Sequence, residues 1–313
     1  MKAIKTEALS KEYGNVCALD KLDLEVPEHV AFGFLGPNGA GKTTTVKLLT
    51  GFSRASAGRA WVAGEPVEGQ NLTLRSRIGL LPDVPAFYDW MSGREFMQLV
   101  GELHHLPRTQ IRSRSDELLA MVELKKASSR RIGGYSRGMR QRLGIAQALF
   151  NRPAVLFMDE PTSALDPIGR REVLELIARL KSEATIFMST HNLADVARVC
   201  DLVGIINKGK LLTVSSVTEL QKKYARSTFE IEFMEDPQSF IESLKAVPWL
   251  AEPRLEKTNG VPQVRVRAVD LEFARRELPR LIAESGLTLT RYELSLPDLE
   301  EIFVRIVNGK EAA

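Results

Sequence analysis

A glycine-rich segment between two predicted regular elements limits the folds open to this chain more than any other feature. It reads Gly36-Pro37-Asn38-Gly39-Ala40-Gly41-Lys42-Thr43 and fits the pattern G-x-x-x-x-G-K-S/T. An apolar run over residues 30–35 predicts a buried strand before it, and a helix is predicted over residues 44–49 after it. Glycines let the backbone aim its N–H groups at phosphate oxygens, and the helix N-terminus adds its positive dipole end. The segment therefore predicts a loop that binds a nucleoside triphosphate, with Lys42 at the β- and γ-phosphates and Thr43 on Mg²⁺.

Two carboxylates and a histidine follow further predicted strands. The apolar run over residues 154–158 ends in Asp159-Glu160, and an Asp at this place is positioned to hold Mg²⁺ through water. Glu160 points to the other side of the strand, so it is free to accept a proton from attacking water. His191 closes the predicted strand over residues 185–189, at the edge where such sheets bind ligands. A lone histidine there is more often structural, but in this company we expect it to contact the γ-phosphate.

The sequence pattern changes near residue 222. Before it, short apolar runs alternate with amphipathic helices, and residues 90–152 form a polar, helix-rich insert. After it we predict strand 229–233, helix 237–246, strands 254–257 and 264–267 around Asn259-Gly260, helix 271–285, strand 287–294 and helix 297–307. The order βαββαβ plus a helix is the ferredoxin-like arrangement. A length of 313 residues agrees with two domains.

Composition excludes several other classes of protein. With 44% apolar and 27% charged residues the chain has the make-up of a globular protein, and its apolar runs are far shorter than the ~20 residues that span a bilayer. Cys17 and Cys200 lie in apolar sequence and are interpreted as buried thiols rather than as a disulfide or metal site. Residues 226–313 carry a net charge of −4 and the rest +7, which is too weak a bias to indicate nucleic-acid binding.

The motifs occur in order with a further segment, Tyr135-Ser136-Arg137-Gly138-Met139-Arg140-Gln141-Arg142. Together they resemble the ATP-binding subunit of an ABC transporter over about residues 1–222. The resemblance implies an α/β fold of the P-loop NTPase type, with a RecA-like core, an antiparallel β edge and an inserted helical subdomain over about residues 90–152. Residues 1–222 are then the ATP-binding cassette. A small α+β ferredoxin-like domain follows over residues 223–313, with an accessory regulatory or dimerisation role.

The resemblance also implies roles for individual residues. The implied catalytic residues are Glu160, His191 and Lys42. ATP is implied to contact the loop at Gly36, Pro37, Asn38, Gly39, Ala40, Gly41, Lys42 and Thr43, and also Thr44 and Tyr13. Tyr13 is implied to stack on adenine, and a generic surface tyrosine is the alternative. The signature residues implied to reach the ATP held by a partner subunit are Ser136, Arg137, Gly138 and Met139. The implied D-loop, which bridges the two subunits, is Ser163, Ala164, Leu165 and Asp166.

Three positions in two segments depart from the family pattern. The signature usually has two glycines followed by glutamine, where this chain has Arg137-Gly138-Met139. Asp83 stands in place of a glutamine, and its carboxylate is still expected to sense Mg²⁺ or attacking water, so it joins Thr43 and Asp159 as an implied metal-binding residue. The signature segment and Leu296-Pro297-Asp298-Leu299-Glu300-Glu301-Ile302-Phe303 together resemble the ATPases that drive ABC-2 type exporters.

The function implied by the resemblance is ATP hydrolysis at two composite sites of a homodimer. It requires ATP and Mg²⁺, and it drives a separate ABC permease, an exporter, from the cytoplasmic face of the membrane, with the chain bound peripherally. No nucleic acid is expected as a partner. A non-transport ABC ATPase is the alternative, but such proteins usually carry two cassettes or a long coiled coil, and this chain has one cassette and no heptad run. A third alternative, a P-loop kinase, does not explain the presence of the signature segment or of His191.

Two surfaces remain open at this stage. Residues 83–93 contain Phe87, Tyr88, Trp90 and Met91, which are either packed in the core or line a groove for a short cytoplasmic helix of the permease. The final helix places Leu299, Ile302, Phe303 and Ile306 on one face, so that face is expected to be buried. An RNA-recognition module shares the ferredoxin-like topology, but the strand aromatics that it needs are missing.

Overall fold

The computed structural model describes residues 2–69, 71–163, 165–224, 228–258, 261–295 and 299–307. The chain forms two compact units, Met1–Val217 and Thr218–Ala313. Of the predicted features, Ala164, the Asn259-Gly260 turn and Leu296-Pro297-Asp298 lie outside the described residues. Among the helices that are described, none is both long and apolar enough to cross a membrane.

The first unit contains ten strands and seven complete helices within its described residues. The strands are β1 (Lys2–Tyr13), β2 (Val16–Pro27), β3 (Ala31–Leu35), β4 (Ala57–Val62), β5 (Glu65–Pro66), β6 (Ile78–Leu81), β7 (Val155–Asp159), β8 (Thr185–Thr190), β9 (Leu202–Asn207) and β10 (Lys210–Ser216). The helices are α1 (Lys42–Leu49), α2 (Leu72–Arg77), α3 (Gly93–Leu103), α4 (Arg108–Met121), α5 (Arg137–Ala148), α6 (Pro167–Leu180) and α7 (Leu193–Val199). A further helix, α8 (Val217–Tyr224), starts at the unit boundary.

A six-stranded sheet, in the order β10-β9-β3-β8-β7-β6, forms the centre of the first unit. All its pairs are parallel except β9 with β10. Every residue of β3, β7 and β8 is buried, as expected for strands covered on both faces, and the predicted strands over residues 30–35, 154–158 and 185–189 are confirmed within one residue. Leu35 lies opposite Thr190, and Asp159 lies opposite Ser189. The segments that follow these three strands therefore leave the sheet at the same edge.

A second, antiparallel sheet in the order β2-β1-β4-β5 packs on this centre through a shared hydrophobic core. Its alternating pattern buries one side of each strand, as in β2, where Leu22, Leu24 and Val26 are buried and the residues between them are exposed. The core joins these side chains to those of the parallel sheet and of α1, among them Phe32, Phe34, Phe157, Phe187, Val46 and Leu49. The expected antiparallel edge is present.

The insert between β6 and β7 is helical, as predicted, and contains α3, α4 and α5. A reciprocal capping box starts α3, because the Ser92 side chain accepts from the Glu95 N–H while the Glu95 carboxylate accepts from the Ser92 N–H. Arg114 of α4 is buried and donates to the carbonyl oxygens of Leu149 and Phe150, which follow α5. These contacts give the insert its own fixed shape beside the parallel sheet.

The second unit has the predicted βαββαβ order. Its elements after α8 are β11 (Thr228–Phe233), α9 (Gln238–Lys245), β12 (Leu250–Thr258), β13 (Val261–Ala268), α10 (Leu271–Glu284), β14 (Leu289–Ser295) and α11 (Leu299–Val307). The antiparallel sheet has the order β12-β13-β11-β14, which is the order of a ferredoxin-like fold. One face buries Phe229, Ile231 and Phe233, while Glu230 on the other face pairs with Arg265 at 3.0 Å.

The two cysteines differ in environment. Cys17 is exposed, so the prediction that both thiols are buried is wrong for this residue. It follows the turn between β1 and β2, where the first two residues of β2 lie on the surface. Cys200 packs against β3 at Gly33. Its Sγ would lie only 2.9 Å from a Cβ added at that glycine. Burial, and secondarily the charge of Asp201, raises the pKa of the Cys200 thiol to about 12.

We expect iodoacetamide at pH 8 to alkylate Cys17 at least about 100-fold faster than Cys200, because the thiolate is the reacting form and a thiol with a pKa of about 12 is ionised only about once in ten thousand. Mass spectrometry of tryptic peptides, taken over a time course, gives both rates in one sample. The urea-unfolded chain is the control, in which the two rates should converge. Equal rates in the native protein would contradict the assigned environments.

Candidate nucleotide-binding site

The loop between β3 and α1 needs glycine at three positions for reasons that the structure makes explicit. Gly39 and Gly41 have φ of 77° and 108°, a region that side chains rarely adopt. A Cβ added at Gly36 would lie 2.4 Å from the Ile206 carbonyl oxygen, and one at Gly41 would lie 2.6 Å from that of Ala18. The backbone of the loop therefore lies directly against its neighbours, and the loop turns into α1 with Gly41 as the N-cap.

The Lys42 side chain is folded into the loop that precedes it. Its exposed fraction is only 6%, and its Nζ donates to the carbonyl oxygens of Gly36 at 2.8 Å and Pro37 at 3.2 Å. The same Nζ lies 3.4 Å from Glu160 Oε1. Thr43 is exposed and Thr44 half-buried at the start of α1. The loop thus combines a fixed positive charge, a free hydroxyl and the N-terminus of a helix, which together suit a phosphate group.

The two carboxylates at the end of β7 occupy different environments. Asp159 is buried and accepts a hydrogen bond from the Ser189 hydroxyl. Glu160 has a left-handed φ of 48°, a conformation that costs on the order of 1–3 kcal/mol for a residue other than glycine. Its N–H donates to the Ser189 carbonyl oxygen at 2.9 Å, which holds this turn beside β8. Glu160 lies after the last residue of β7, so its side chain is placed by this turn and not by strand alternation: it contacts Lys42 and His191, whereas Asp159 contacts Ser189.

Glu160 connects the segments that follow two neighbouring strands. Its Oε2 lies 2.9 Å from His191 Nδ1, and its Oε1 faces Lys42. The Glu160 side chain is 14% exposed, while that of His191 is 55% exposed. The structure therefore brings together the three residues for which the sequence implied a catalytic role, and it leaves the histidine ring accessible.

The residues implied to bind Mg²⁺ offer suitable donor atoms. The Thr43 hydroxyl and the Asp159 carboxylate are both oxygen donors, which Mg²⁺ prefers. Within the described part of the chain, no group of three or more His, Cys, Asp or Glu side chains could hold a metal ion by itself. This agrees with the usual Mg²⁺ site of such enzymes, in which one or two protein ligands are completed by phosphate oxygens and water.

A cleft of about 640 Å³ adjoins the Glu160–His191 pair. It brings together residues from five segments that are distant in sequence, namely Asn38, Asp83, Val84, Pro85, Arg137, Arg140, Gln141, Glu160, Ser163, Leu165 and His191. Asp83 accepts a 2.5 Å hydrogen bond from the Ser163 hydroxyl. The position that departs from the family pattern is thus tied to the implied D-loop of the same chain. The metal-binding role of Asp83 stays a prediction.

The signature segment begins α5. Ser136 is the N-cap, and its hydroxyl accepts from the Met139 N–H at 3.2 Å, while Ser136 and Arg137 are exposed and Gly138 is half-buried. Tyr135 before them is buried and donates to the Ala127 carbonyl oxygen at 2.8 Å, and burial raises the pKa of its phenol. Ser136 and Arg137 therefore lie at the surface, directly after the buried Tyr135.

Tyr13 lies at the end of β1, and its side chain is half exposed. The Lys11 ammonium lies 4.8 Å from the centroid of its ring, a cation–π contact. In the D-loop, the Asp166 side chain caps α6 by accepting from the Gly169 N–H at 2.9 Å. Stacking on adenine and bridging of subunits stay predictions for these residues.

One buried acid was missed by the sequence analysis. Asp195 is 1% exposed and binds both Thr162 and Arg170, on the far side of the segments that carry Glu160 and His191. It stands in the first turn of α7, where an acid is common because of the helix dipole. Only the burial of its side chain distinguishes it from such a solvated acid.

A parallel sheet with a glycine-rich phosphate loop at its carboxyl edge, and with a Lys, an Asp and a Glu at that loop, defines a P-loop nucleoside triphosphatase. The family model described as ABC transporter matches residues 19–163. Over 309 residues the chain is 34% identical to the daunorubicin resistance ATP-binding protein DrrA2 of Streptomyces coeruleorubidus, which covers 98% of this chain and 96% of that protein. It is also 34% identical to the bacitracin transport ATP-binding protein BcrA of Bacillus licheniformis, over 98% of this chain and 97% of that one.

A solved structure of the ATP binding subunit of an ABC transporter matches this chain with a TM-score of 0.64 and 26% identity, covering 71% of this chain and 93% of that one. The chain therefore belongs to the ATP-binding proteins of ABC transporters. It is an ATPase of that family, and proteins of this family work with a membrane permease.

The glycines of the loop provide a matched test of its backbone. We expect Gly41→Ala to lower the free energy of unfolding by roughly 2–6 kcal/mol, because the new Cβ meets the Ala18 carbonyl oxygen in a left-handed conformation. Gly39→Ala should cost only about 1–2 kcal/mol, since φ is left-handed but no atom lies within 4 Å. Urea unfolding of both variants measures the difference, and equal losses would contradict the close approach at Gly41.

Proposed function

We propose that two copies of this chain enclose two ATP molecules and hydrolyse them at composite sites. In each site one copy supplies the phosphate loop with Glu160 and His191, and the other supplies the signature residues. The observation that carries the proposal is the position of Glu160, whose carboxylate contacts both the Lys42 ammonium and the His191 ring. A base, a cation for phosphate and a second polar group are thus assembled before any substrate arrives.

Glu160 is the proton acceptor in this proposal. A carboxylate within hydrogen-bond reach of an attacking water takes its proton as the bond to phosphorus forms. His191 Nδ1–H donates to the Glu160 carboxylate, which orients the imidazole, and Nε2 donates to the γ-phosphate when both ring nitrogens carry a proton. Lys42 and the N–H groups of the loop stabilise the negative charge on the phosphates. We assign Thr43 and Asp159 to Mg²⁺, which supplies further neutralisation of phosphate charge when bound.

The remaining contacts of the composite site come from the surface residues of the signature and from β1. Ser136 and Gly138 offer a hydroxyl and a backbone N–H, and Arg137 adds a positive charge where the family usually has glycine. Met139 occupies the position of the usual glutamine. We assign adenine stacking to Tyr13, because its ring is half exposed at the end of a strand. Ser163, Leu165 and Asp166 are assigned to the contact between subunits.

We place the permease contact at residues 83–93. Tyr88 and Trp90 are 53% and 67% exposed, and their ring centroids lie 5.8 Å apart. Phe87 instead packs edge-on against Phe96 of α3, with a centroid distance of 5.0 Å. The segment therefore has one aromatic side chain that anchors it and two that face outward. An exposed aromatic pair of this kind suits the apolar face of a short helix.

The direction of transport is proposed to be export, because relatives over nearly the whole chain are named for daunorubicin resistance and bacitracin transport. The cargo passes through the permease and contacts no residue of this chain. We propose that the chain acts at the cytoplasmic face of the membrane, bound peripherally. Residues 223–313 are proposed to form an accessory regulatory or dimerisation domain.

The proposed chemistry distinguishes two variants. Glu160→Gln should lower ATP turnover by at least about 100-fold while ATP binding is retained, because the amide keeps the shape and hydrogen bonds but is no base. This variant should also accumulate as an ATP-bound dimer in size-exclusion chromatography. Lys42→Ala should instead weaken ATP binding about 10- to 100-fold, since it removes the charge at the phosphates. Wild-type turnover by Glu160→Gln would show that the base is a different residue.

The proposed permease contact has its own test. Replacing Tyr88 and Trp90 by alanine should abolish most transport in vesicles that contain the cognate permease, while basal ATP hydrolysis stays within about twofold of wild type. Leu212 and Val214 are exposed apolar side chains on β10, and their double alanine variant is the matched control, expected to transport normally. Normal transport by the Tyr88 and Trp90 variant would remove the contact from this surface.

A further inference from the structure

Asp195 is 1% exposed, the lowest value among the acidic side chains in the described part of the first unit, and both of its carboxylate oxygens accept hydrogen bonds. Oδ2 accepts from the Thr162 hydroxyl at 2.5 Å, and Oδ1 accepts from Arg170 Nε and Nη2, each at 2.7 Å. Charge-assisted hydrogen bonds of this kind are short and strong, and burial keeps water from competing for them. The carboxylate is therefore fixed in one orientation.

These contacts join two segments that both carry residues of the proposed ATP site. Thr162 lies two residues after Glu160, and Asp195 lies four residues after His191. The two segments already touch at Glu160 and His191, at 2.9 Å. The bond between Thr162 and Asp195 is a second link behind that pair. The two segments are thus connected at two points. These two contacts restrict the distance between Glu160 and His191.

Arg170 extends this arrangement to α6. Its guanidinium donates from both Nε and Nη2 to Oδ1 of Asp195, and the helix that carries it is N-capped by the D-loop residue Asp166. On α7, Asn192 caps the helix and accepts from the Asp195 N–H at 3.3 Å, so the backbone of Asp195 is tied to the residue next to His191. Movement of either segment thus requires the carboxylate to lose a buried partner, which is costly.

We propose that Asp195 is a positioning residue for ATP hydrolysis, which holds the proton acceptor Glu160 and His191 in register through Thr162 and Arg170 and does not touch the nucleotide. The proposal rests on the roles proposed above for Glu160 and His191. Lys42 and the glycine loop lie on a different segment, so the link should affect turnover and leave nucleotide affinity alone. A displacement of about 1 Å in a reacting group lowers rates by up to about 100-fold.

The test uses the full chain and measures kcat for ATP together with the binding of a fluorescent ATP analogue. Asp195→Asn keeps the shape of the side chain and removes its charge, and Thr162→Val keeps the shape and removes the donor. Each should lower kcat at least about tenfold while the dissociation constant stays within about threefold of wild type. The double variant should have a kcat close to that of the less active single variant, because both changes disturb the same contact between Thr162 and Asp195.

The chain offers a matched control on the same two helices. Arg198 of α7 and Glu175 of α6 form an exposed ion pair at 3.2 Å, away from both loops. Glu175→Gln breaks this α6–α7 contact and should leave kcat within about twofold of wild type, because an exposed pair contributes little. A fall in kcat equal to that of Asp195→Asn would mean that general packing of α6 on α7 is responsible, and it would overturn the proposal.

Further outcomes also decide the question. Turnover within threefold of wild type in both single variants, a parallel loss of nucleotide binding, or multiplicative effects in the double variant would each overturn the proposal. If Asp195→Asn does not fold, Thr162→Val decides by the same criteria. Glu160→Gln, measured in the same series, distinguishes a failure of the proposed function from a failure of the positioning role of Asp195. Wild-type turnover in that variant defeats the proposed function, whereas inactive Glu160→Gln beside fully active Asp195→Asn defeats only the positioning role.

Discussion

Parallel pairing of β3, β7 and β8 is the constraint on which the site depends. Because these strands run in the same direction and Leu35, Asp159 and their partners on β8 are in register, the phosphate loop, Glu160 and His191 leave the sheet at one edge. Helix α1 then begins at that edge with its N-terminus toward the loop. No residue of the site needs a long or flexible connection to reach the others. These three strands are buried along their whole length, as expected for strands covered on both faces.

The polar side chains at that edge form two sets of contacts, a front layer next to the phosphate loop and a rear layer around Asp195. In the layer nearest the loop, the Lys42 ammonium, the Glu160 carboxylate and the His191 ring form a line of direct contacts. Behind it, Asp195 binds the segments that carry Glu160 and His191, and it is almost fully shielded from water. The front layer has accessible atoms that can meet a substrate. In the rear layer Asp195 and Thr162 are buried, so we assign them to geometry alone.

Two of the departures from the family pattern, Asp83 and Arg137, lie in one cleft. Asp83 and Arg137 both line it with Glu160 and His191, and Asp83 binds Ser163 of the D-loop within the same chain. A glutamine at this position would present an amide, whereas the aspartate presents a shorter and charged group that reaches the Ser163 hydroxyl. The two substitutions therefore introduce one negative and one positive group into a single surface. Arg140, which also lines this cleft, pairs at 2.8 Å with Asp89, which lies between Tyr88 and Trp90 in the segment assigned to the permease.

The sequence by itself determined the phosphate loop, the central strands, the βαββαβ order of the second unit and the residues of the front layer, because each follows from local features. The glycine-rich loop, the apolar runs and the carboxylates at strand ends can each be recognised from a few consecutive residues. Only the tertiary structure decided the contacts between Thr162 and Asp195, 33 residues apart, and between Ser163 and Asp83, 80 residues apart. It also decided that Cys17 is exposed. These facts depend on which segments the strand order brings side by side and on which side chains are shielded from water, and neither has a local signal in the chain.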